Sequence, residues 1–146
     1  MSYLVDTNVL LRLTQKTSPM HADARRALAI LRKQNEELCI FSQNIIEFWA
    51  VATRPLANNG LGLTIDEAER ETKTLKRIFR LRPDLPAIFT EWEKLVSKHQ
   101  VLGKQAHDAR LVAAMKAYGL THILTFNMDD FKRFTDITST SPQTVT

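Results

Sequence analysis

The chain has 146 residues, 44% hydrophobic and 25% charged, with no internal repeat or low-complexity segment, which suits one domain with its own core. Twenty Lys and Arg against sixteen Asp and Glu leave a net charge of +4, which permits a nucleic-acid partner without requiring one. No apolar run approaches the roughly 18 residues of a membrane span, and the single cysteine, Cys39, excludes an internal disulfide. Lying in the apolar stretch Leu38 to Phe41, Cys39 reads as a small buried hydrophobe in a reducing compartment. The first residues, Met1 to Asp6, carry neither the basic region nor the apolar stretch of a signal peptide, so the expected location is cytoplasmic.

In chain order, Tyr3-Leu4-Val5 is a short apolar run that fits a buried strand. A helix follows over about Met20 to Lys33, and Leu38 to Phe41 forms a second strand. Ser42 or Asn44 then caps a helix running to about Thr53, which Pro55 ends. Thr64 caps a long polar helix to about Leu81, with Asp66, Glu67 and Glu69 in its first turns and Lys and Arg later, as the helix dipole favours. Pro83 and Pro86 break the chain before helices at Ala87 to His99 and Ala106 to Tyr118, the latter ended by Gly119. A third strand, His122 to Thr125, precedes a polar ending over about residues 138–146, which is either an edge strand or a frayed tail. Short strands alternating with helices predict one α/β domain over residues 1–146 on a parallel sheet, with ligands beyond the carboxyl ends of the strands.

Four acids stand where that edge falls. Asp6 directly follows the first strand, where it is either a helix N-cap or a site carboxylate. Glu47 has Ile45, Ile46, Phe48, Trp49, Val51 and Ala52 around it, so its helix is expected to be largely buried. A buried lone carboxylate is costly unless paired or metal-bound; the structural alternative is a capping box with Asn44. Asp108 lies three, four and seven residues before Leu111, Val112 and Met115, so it shares their apolar face at the start of its helix. Asp129 and Asp130 follow the third strand, where they are either solvated turn residues or a fourth acid.

If these acids converge, electrostatics limits what they can be. Two carboxylates about 4 Å apart repel by roughly 4 kcal/mol at an effective dielectric near 20. Such a cluster takes up protons or holds a cation, and an all-oxygen set without a His–Cys group favours Mg²⁺ or Mn²⁺ over Zn²⁺. With four acids gathered in one place, the remaining twelve face twenty Lys and Arg, so a basic surface surrounds an acidic pocket. That arrangement suits a polyanion whose reacting centre needs a metal.

The segments Leu4 to Leu10, Ser42 to Phe48, His107 to Ala114 and Leu124 to Phe131 together resemble a PIN domain, and more closely the VapC-type toxins of bacterial toxin–antitoxin pairs. Each motif alone is weak; four in the family's order, spanning most of the chain, are specific. The resemblance implies a three-layer α/β/α fold, metal-dependent endoribonuclease activity, a cognate antitoxin partner and a homodimer. It carries over Asp6, Glu47 and Asp108 as the metal-holding triad, and Asn8, Ser42 and Thr125 as hydrogen-bonding support. The last motif departs from the family: Asn127 stands where an Asp is frequent, which makes Asp130 the fourth acid and weakens a second metal position.

Other readings are a degenerate PIN-like module that binds RNA or protein, and a different Mg²⁺-dependent phosphohydrolase or DNA nuclease. A phosphatase forming an aspartyl-phosphate wants a second Asp two residues after the first, where this chain has Asn8. Arg70, Lys73, Arg77 and Arg80 form a stripe that either tracks an RNA backbone or is a solvated face. Lys104 is either a phosphate contact or a loop lysine, and His107 does not face Asp108, so it is read as structural. Trp49 and Trp92 read as core or interface residues. The RNA target, cleavage sequence and metal stoichiometry are not legible in the sequence.

Overall fold

The computed structural model describes all 146 residues. Five strands, β1 (Ser2–Val5), β2 (Glu37–Phe41), β3 (Arg80–Arg82), β4 (His122–Leu124) and β5 (Thr138–Thr140), form one sheet in the order β3-β2-β1-β4-β5. All four pairings are parallel. Six helices connect them: α1 (Thr7–Thr14), α2 (His21–Lys33), α3 (Ser42–Ala52), α4 (Ile65–Ile78), α5 (Ala87–Lys98) and α6 (Gln105–Ala117).

The period-2 alternation of the strands sorts the core into two layers. Leu4, Cys39, Phe41 and Ile123 face α5 and α6, where Ile88, Leu95, Leu111, Val112 and Met115 meet them. Val5, Leu38, Ile40 and Leu124 face the other way, onto Val9, Leu10, Leu28, Leu31, Phe48 and Leu75 of α1 to α4. The result is the expected α/β/α sandwich. Cys39 is a buried free thiol. No helix is long and apolar enough to cross a membrane.

The chain builds outward from β1 to β2 and β3, then returns to lay β4 on the other side of β1. The strand order therefore reverses between β1 and β4, and a crevice opens beyond the carboxyl ends of these two strands. Backbone bonds from Asp6 N to Leu124 O and from Thr125 N to Thr140 O, both 3.0 Å, carry the pairing past the strand ends into that crevice.

The structure differs from the sequence reading at several points. The polar helix stops at Ile78, and Arg80–Arg82 become β3 instead of its last turn. Pro83 disfavours a helical Arg82, and the open edge of β2 supplies hydrogen-bond partners, with Glu37 pairing both Arg80 and Arg82. The chain-order reading places no helix directly after β1, yet α1 starts there with Asp6 as its N-cap, one of the two roles open to that residue. Neither Ser42 nor Asn44 is the N-cap of α3. Phe41 holds that position, and its N–H donates to the Asn44 side-chain oxygen at 2.8 Å. Glu47 therefore takes no part in a capping box. Nor is α3 buried all round: Ile46 is 67% exposed. The C-terminal residues form the edge strand β5, and beyond it the chain is clamped on α2, where Arg26 donates to the carbonyls of Val145, Pro142 and Gln143 at 2.6, 2.9 and 3.1 Å.

Candidate active site at the sheet switch point

Asp6 is the best-fixed of the acids. Strand β1 delivers it to the crevice, where it is 8% exposed. One oxygen accepts from Thr7 N at 2.8 Å; the other accepts from the Thr125 hydroxyl at 2.8 Å and the Asn8 amide at 3.3 Å. It thus caps α1 and faces the crevice at once. Burial pushes its carboxyl up to about 6, against the opposing bonds from Thr125 and Thr7, and the charges of Glu47 and Asp130 add to the rise.

Asn8 and Thr125 lock the floor. Thr125, fully buried just past β4, also accepts from the Asn8 amide at 3.1 Å and from Asn127 N at 3.0 Å. The Asn8 oxygen in turn accepts from Phe126 N at 3.2 Å. This ties the α1 start to the loop after β4.

Glu47 reaches the site from α3. Its Oε1 accepts from the Thr7 hydroxyl at 2.9 Å, and that hydroxyl accepts from the fully buried Asn44 amide at 3.2 Å. Asn44, Thr7 and Glu47 form a relay that aims the carboxylate. Thr7 and Asn44 were not recognised as positioning residues from sequence, because the relay exists only once α1 packs on α3.

Asp108, in the first turn of α6, is partly buried and accepts no hydrogen bond within the protein. Burial, then the negative charges of Asp130, Asp6 and Glu47, push its carboxyl up to about 7, with Arg133 offsetting part of the rise. Asp130, in the helical turn Met128–Phe131, is exposed and acts on both Asp6 and Asp108 through its charge. Asp129 turns away to pair with Lys132 at 2.6 Å.

The structure therefore brings Asp6, Glu47, Asp108 and Asp130 into electrostatic contact, with Asn8 and Thr125 beneath. None of the four forms an ion pair, whereas Glu37, Asp84, Glu91, Asp129 and Asp136 pair with Lys or Arg and Glu36 with the N-terminal ammonium. Ser42 is not part of this group: its hydroxyl donates to both oxygens of Asp84, at 2.9 and 2.8 Å. Asn127 lies on the rim, beside an open cleft of 670 Å³ that it lines with Asp130, Ser141 and Gln143. As they stand, no three of these carboxylates close into a ready-made metal cage. Hard oxygen donors, none of them ion-paired, fit a divalent metal ion.

A doubly wound parallel sheet with an acidic centre at its switch point defines the class of protein. The chain belongs to the PIN domain family, whose model matches residues 3–137. Among solved structures it is similar to VapBC-1 from nontypeable Haemophilus influenzae, with a TM-score of 0.72 and 17% identity over 97% of this chain and 98% of that one. It is similar to VapBC2 from Rickettsia felis, solved with a DNA fragment from its promoter, at TM-score 0.73 and 15% identity over 97% and 98%. VapC20 from Mycobacterium tuberculosis, a sarcin–ricin loop cleaving toxin, aligns at TM-score 0.66 and 19% identity over 89% and 93%. At these identities the likeness establishes a shared fold. Among curated protein sequences none matches.

Proposed function

We propose that this chain is a divalent-metal-dependent endoribonuclease, the toxin of a toxin–antitoxin pair. The observation that carries this reading is that four carboxylates, none ion-paired, lie within electrostatic range of one another at the switch point of a PIN sheet. The similarity to a toxin that cleaves the sarcin–ricin loop favours RNA as substrate. The similarity to toxin–antitoxin assemblies favours a cognate antitoxin. A homodimer follows from the family resemblance.

Asp6, Asp108 and Glu47 would hold Mg²⁺ or Mn²⁺, with Asp130 at the margin. Bound there, such an ion supplies a Lewis acid for the phosphodiester and lowers the pKa of water. Asp6 is held rigid by three hydrogen bonds, so it sets the geometry of the site. Glu47, aimed by Thr7, orients the attacking water through its free oxygen. Asp108, with a carboxyl near neutrality, carries a proton at its side-chain oxygen until charge is neutralised around it. Attack by water rather than by the 2′-hydroxyl leaves 5′-phosphate and 3′-hydroxyl ends; a 2′,3′-cyclic phosphate product would contradict the mechanism.

The test is cleavage of end-labelled total RNA by purified, antitoxin-free protein with Mg²⁺ or Mn²⁺, with EDTA, and with Asp6→Asn alongside. Cutting that needs metal and vanishes in the variant supports the reading. Cutting that survives EDTA, or survives Asp6→Asn, refutes it.

A further inference from the structure

Arg133 stands three residues beyond Asp130, and its guanidinium is held by two neutral oxygens. Nη2 donates to the side-chain oxygen of Gln105 at 2.6 Å, and Nη1 to the carbonyl of His99 at 3.3 Å. Gln105 opens α6, and Asp108 lies three residues further on, so the two share one side of its first turn. The tether thus brings a positive charge to the turn that carries Asp108, close enough to temper that carboxyl.

Even so, Arg133 has no carboxylate partner. Six of the twenty Lys and Arg pair with an acid; Arg133 is among the fourteen that do not, and the one of these whose guanidinium is tied to the first turn of α6, where Asp108 stands. Tethered to the turn that carries Asp108, Arg133 is fastened by two neutral oxygens. A direct ion pair with Asp108 or Asp130 would have spent both charges on each other. Neutral acceptors fix the orientation of the planar fork and leave its charge, and three of its five N–H groups, free. Its neighbour Lys132 cannot take this part, being tied to Asp129.

An RNA strand approaching four carboxylates meets strong repulsion, and a cation placed beside them on a fixed mount offsets it. We propose that Arg133 is a phosphate-positioning residue, its free N–H groups gripping the non-bridging oxygens of an RNA phosphate as the strand enters the acidic site. Paired N–H donors in a planar fork match phosphate oxygens in a way a lysine ammonium does not. This assignment rests on the ribonuclease reading above.

The experiment measures cleavage of end-labelled total RNA at low substrate by wild type, Arg133→Gln, Arg133→Lys and Gln105→Ala, over a range of KCl concentrations, with a thermal melt of each. Arg133→Gln is expected to lower the rate about ten- to a hundredfold through KM, and to flatten the slope of log rate against log salt by about 0.7, the value of one lost single-strand phosphate contact. Arg133→Lys should recover the salt slope but only part of the rate. Gln105→Ala, which keeps the charge and loosens its mount, should lose rate with the slope intact and serves as the test if Arg133→Gln does not fold. A wild-type salt slope in a folded Arg133→Gln overturns the proposal while leaving the nuclease intact. Wild-type rate in Gln105→Ala overturns the role of the mount. Failure of wild type to cut RNA with metal present overturns the underlying reading and the proposal with it.

Discussion

Replacing Asp108 by Asn should make the metal-free protein more stable, and the gain should grow with pH. In the unfolded chain this carboxyl titrates near 3.8; in the fold, burial and the charges of Asp130, Asp6 and Glu47 push it up to about 7. Between those values the folded state holds the extra proton, so stability falls as pH rises through that window and the loss is complete above about 7. A shift from 3.8 to about 7 at 1.36 kcal/mol per pKa unit corresponds to about 4 kcal/mol. Partial solvent access to the side chain reduces this to roughly 2–4 kcal/mol. Asn keeps the shape, carries no charge, and sacrifices no hydrogen bond, since Asp108 accepts none within the protein.

For a chain of this size each kcal/mol moves Tm by about 2–4 °C, so Asp108→Asn in EDTA at pH 8 should melt on the order of 5–15 °C above wild type. At pH 4, where both residues are neutral in the fold, the two should nearly coincide. Mg²⁺ at about a hundred times its dissociation constant should then raise wild type at pH 8 by about 2.7 kcal/mol and leave the variant nearly unmoved. The assay is thermal unfolding by circular dichroism across pH 4–8 with EDTA or Mg²⁺. A variant that melts at or below wild type at pH 8 in EDTA, or a gap equal at both ends of the pH range, would refute the electrostatic account of this site.

Cation binding needs the ionised acids, so at limiting Mg²⁺ cleavage should rise with pH through about 6 and about 7, where Asp6 and Asp108 lose their protons, and saturating metal should move that rise to lower pH. A flat rate between pH 5.5 and 8 would count against those two residues as ligands. Thr7→Val strands the Asn44 amide and an oxygen of Glu47, and should cost about 1–3 kcal/mol in denaturant titrations and about tenfold in cleavage rate. Arg26→Ala frees three carbonyls of the C-terminal turn and should cost about 1–3 kcal/mol, with hydrogen exchange speeding first at residues 141–146. At Gly60 an added Cβ would lie 1.9 Å from the carbonyl oxygen of Arg54, so Gly60→Ala should force the turn after α3 to move and lower Tm, while leaving the acidic site in place.

The parts of this molecule legible in its sequence are those set by local periodicity. Leu4-Val5 and Ile123-Leu124 read as strands because neighbouring apolar residues serve opposite faces of a sheet covered on both sides. Parallel strands further imply that Asp6 and Thr125, each one residue beyond a strand, stand at the same edge. The missed elements depend on partners distant in sequence. Arg80-Leu81-Arg82 continues a run of good helix formers, and only the open edge of β2 makes it a strand. Nothing local tells Thr7 that Asn44 and Glu47 will meet its hydroxyl.

Asp129 and Asp130 show the same division at the scale of one turn. From composition the two are interchangeable, and both follow the same strand. The difference arises because the chain there winds into a tight helical turn, in which residues three apart lie on one side. Lys132 stands over Asp129 and draws it into an exposed ion pair, whereas Arg133, three residues after Asp130, is held instead by Gln105 and the His99 carbonyl. Asp130, one position on, is rotated away from that lysine towards the crevice, where its charge is felt by Asp6 and Asp108. The resemblance to the family singles out Asp130 by its place before Phe131, which is buried in the core. Were Arg133 released from Gln105 and His99, Asp130 would have a cation at the same three-residue spacing that Asp129 has in Lys132.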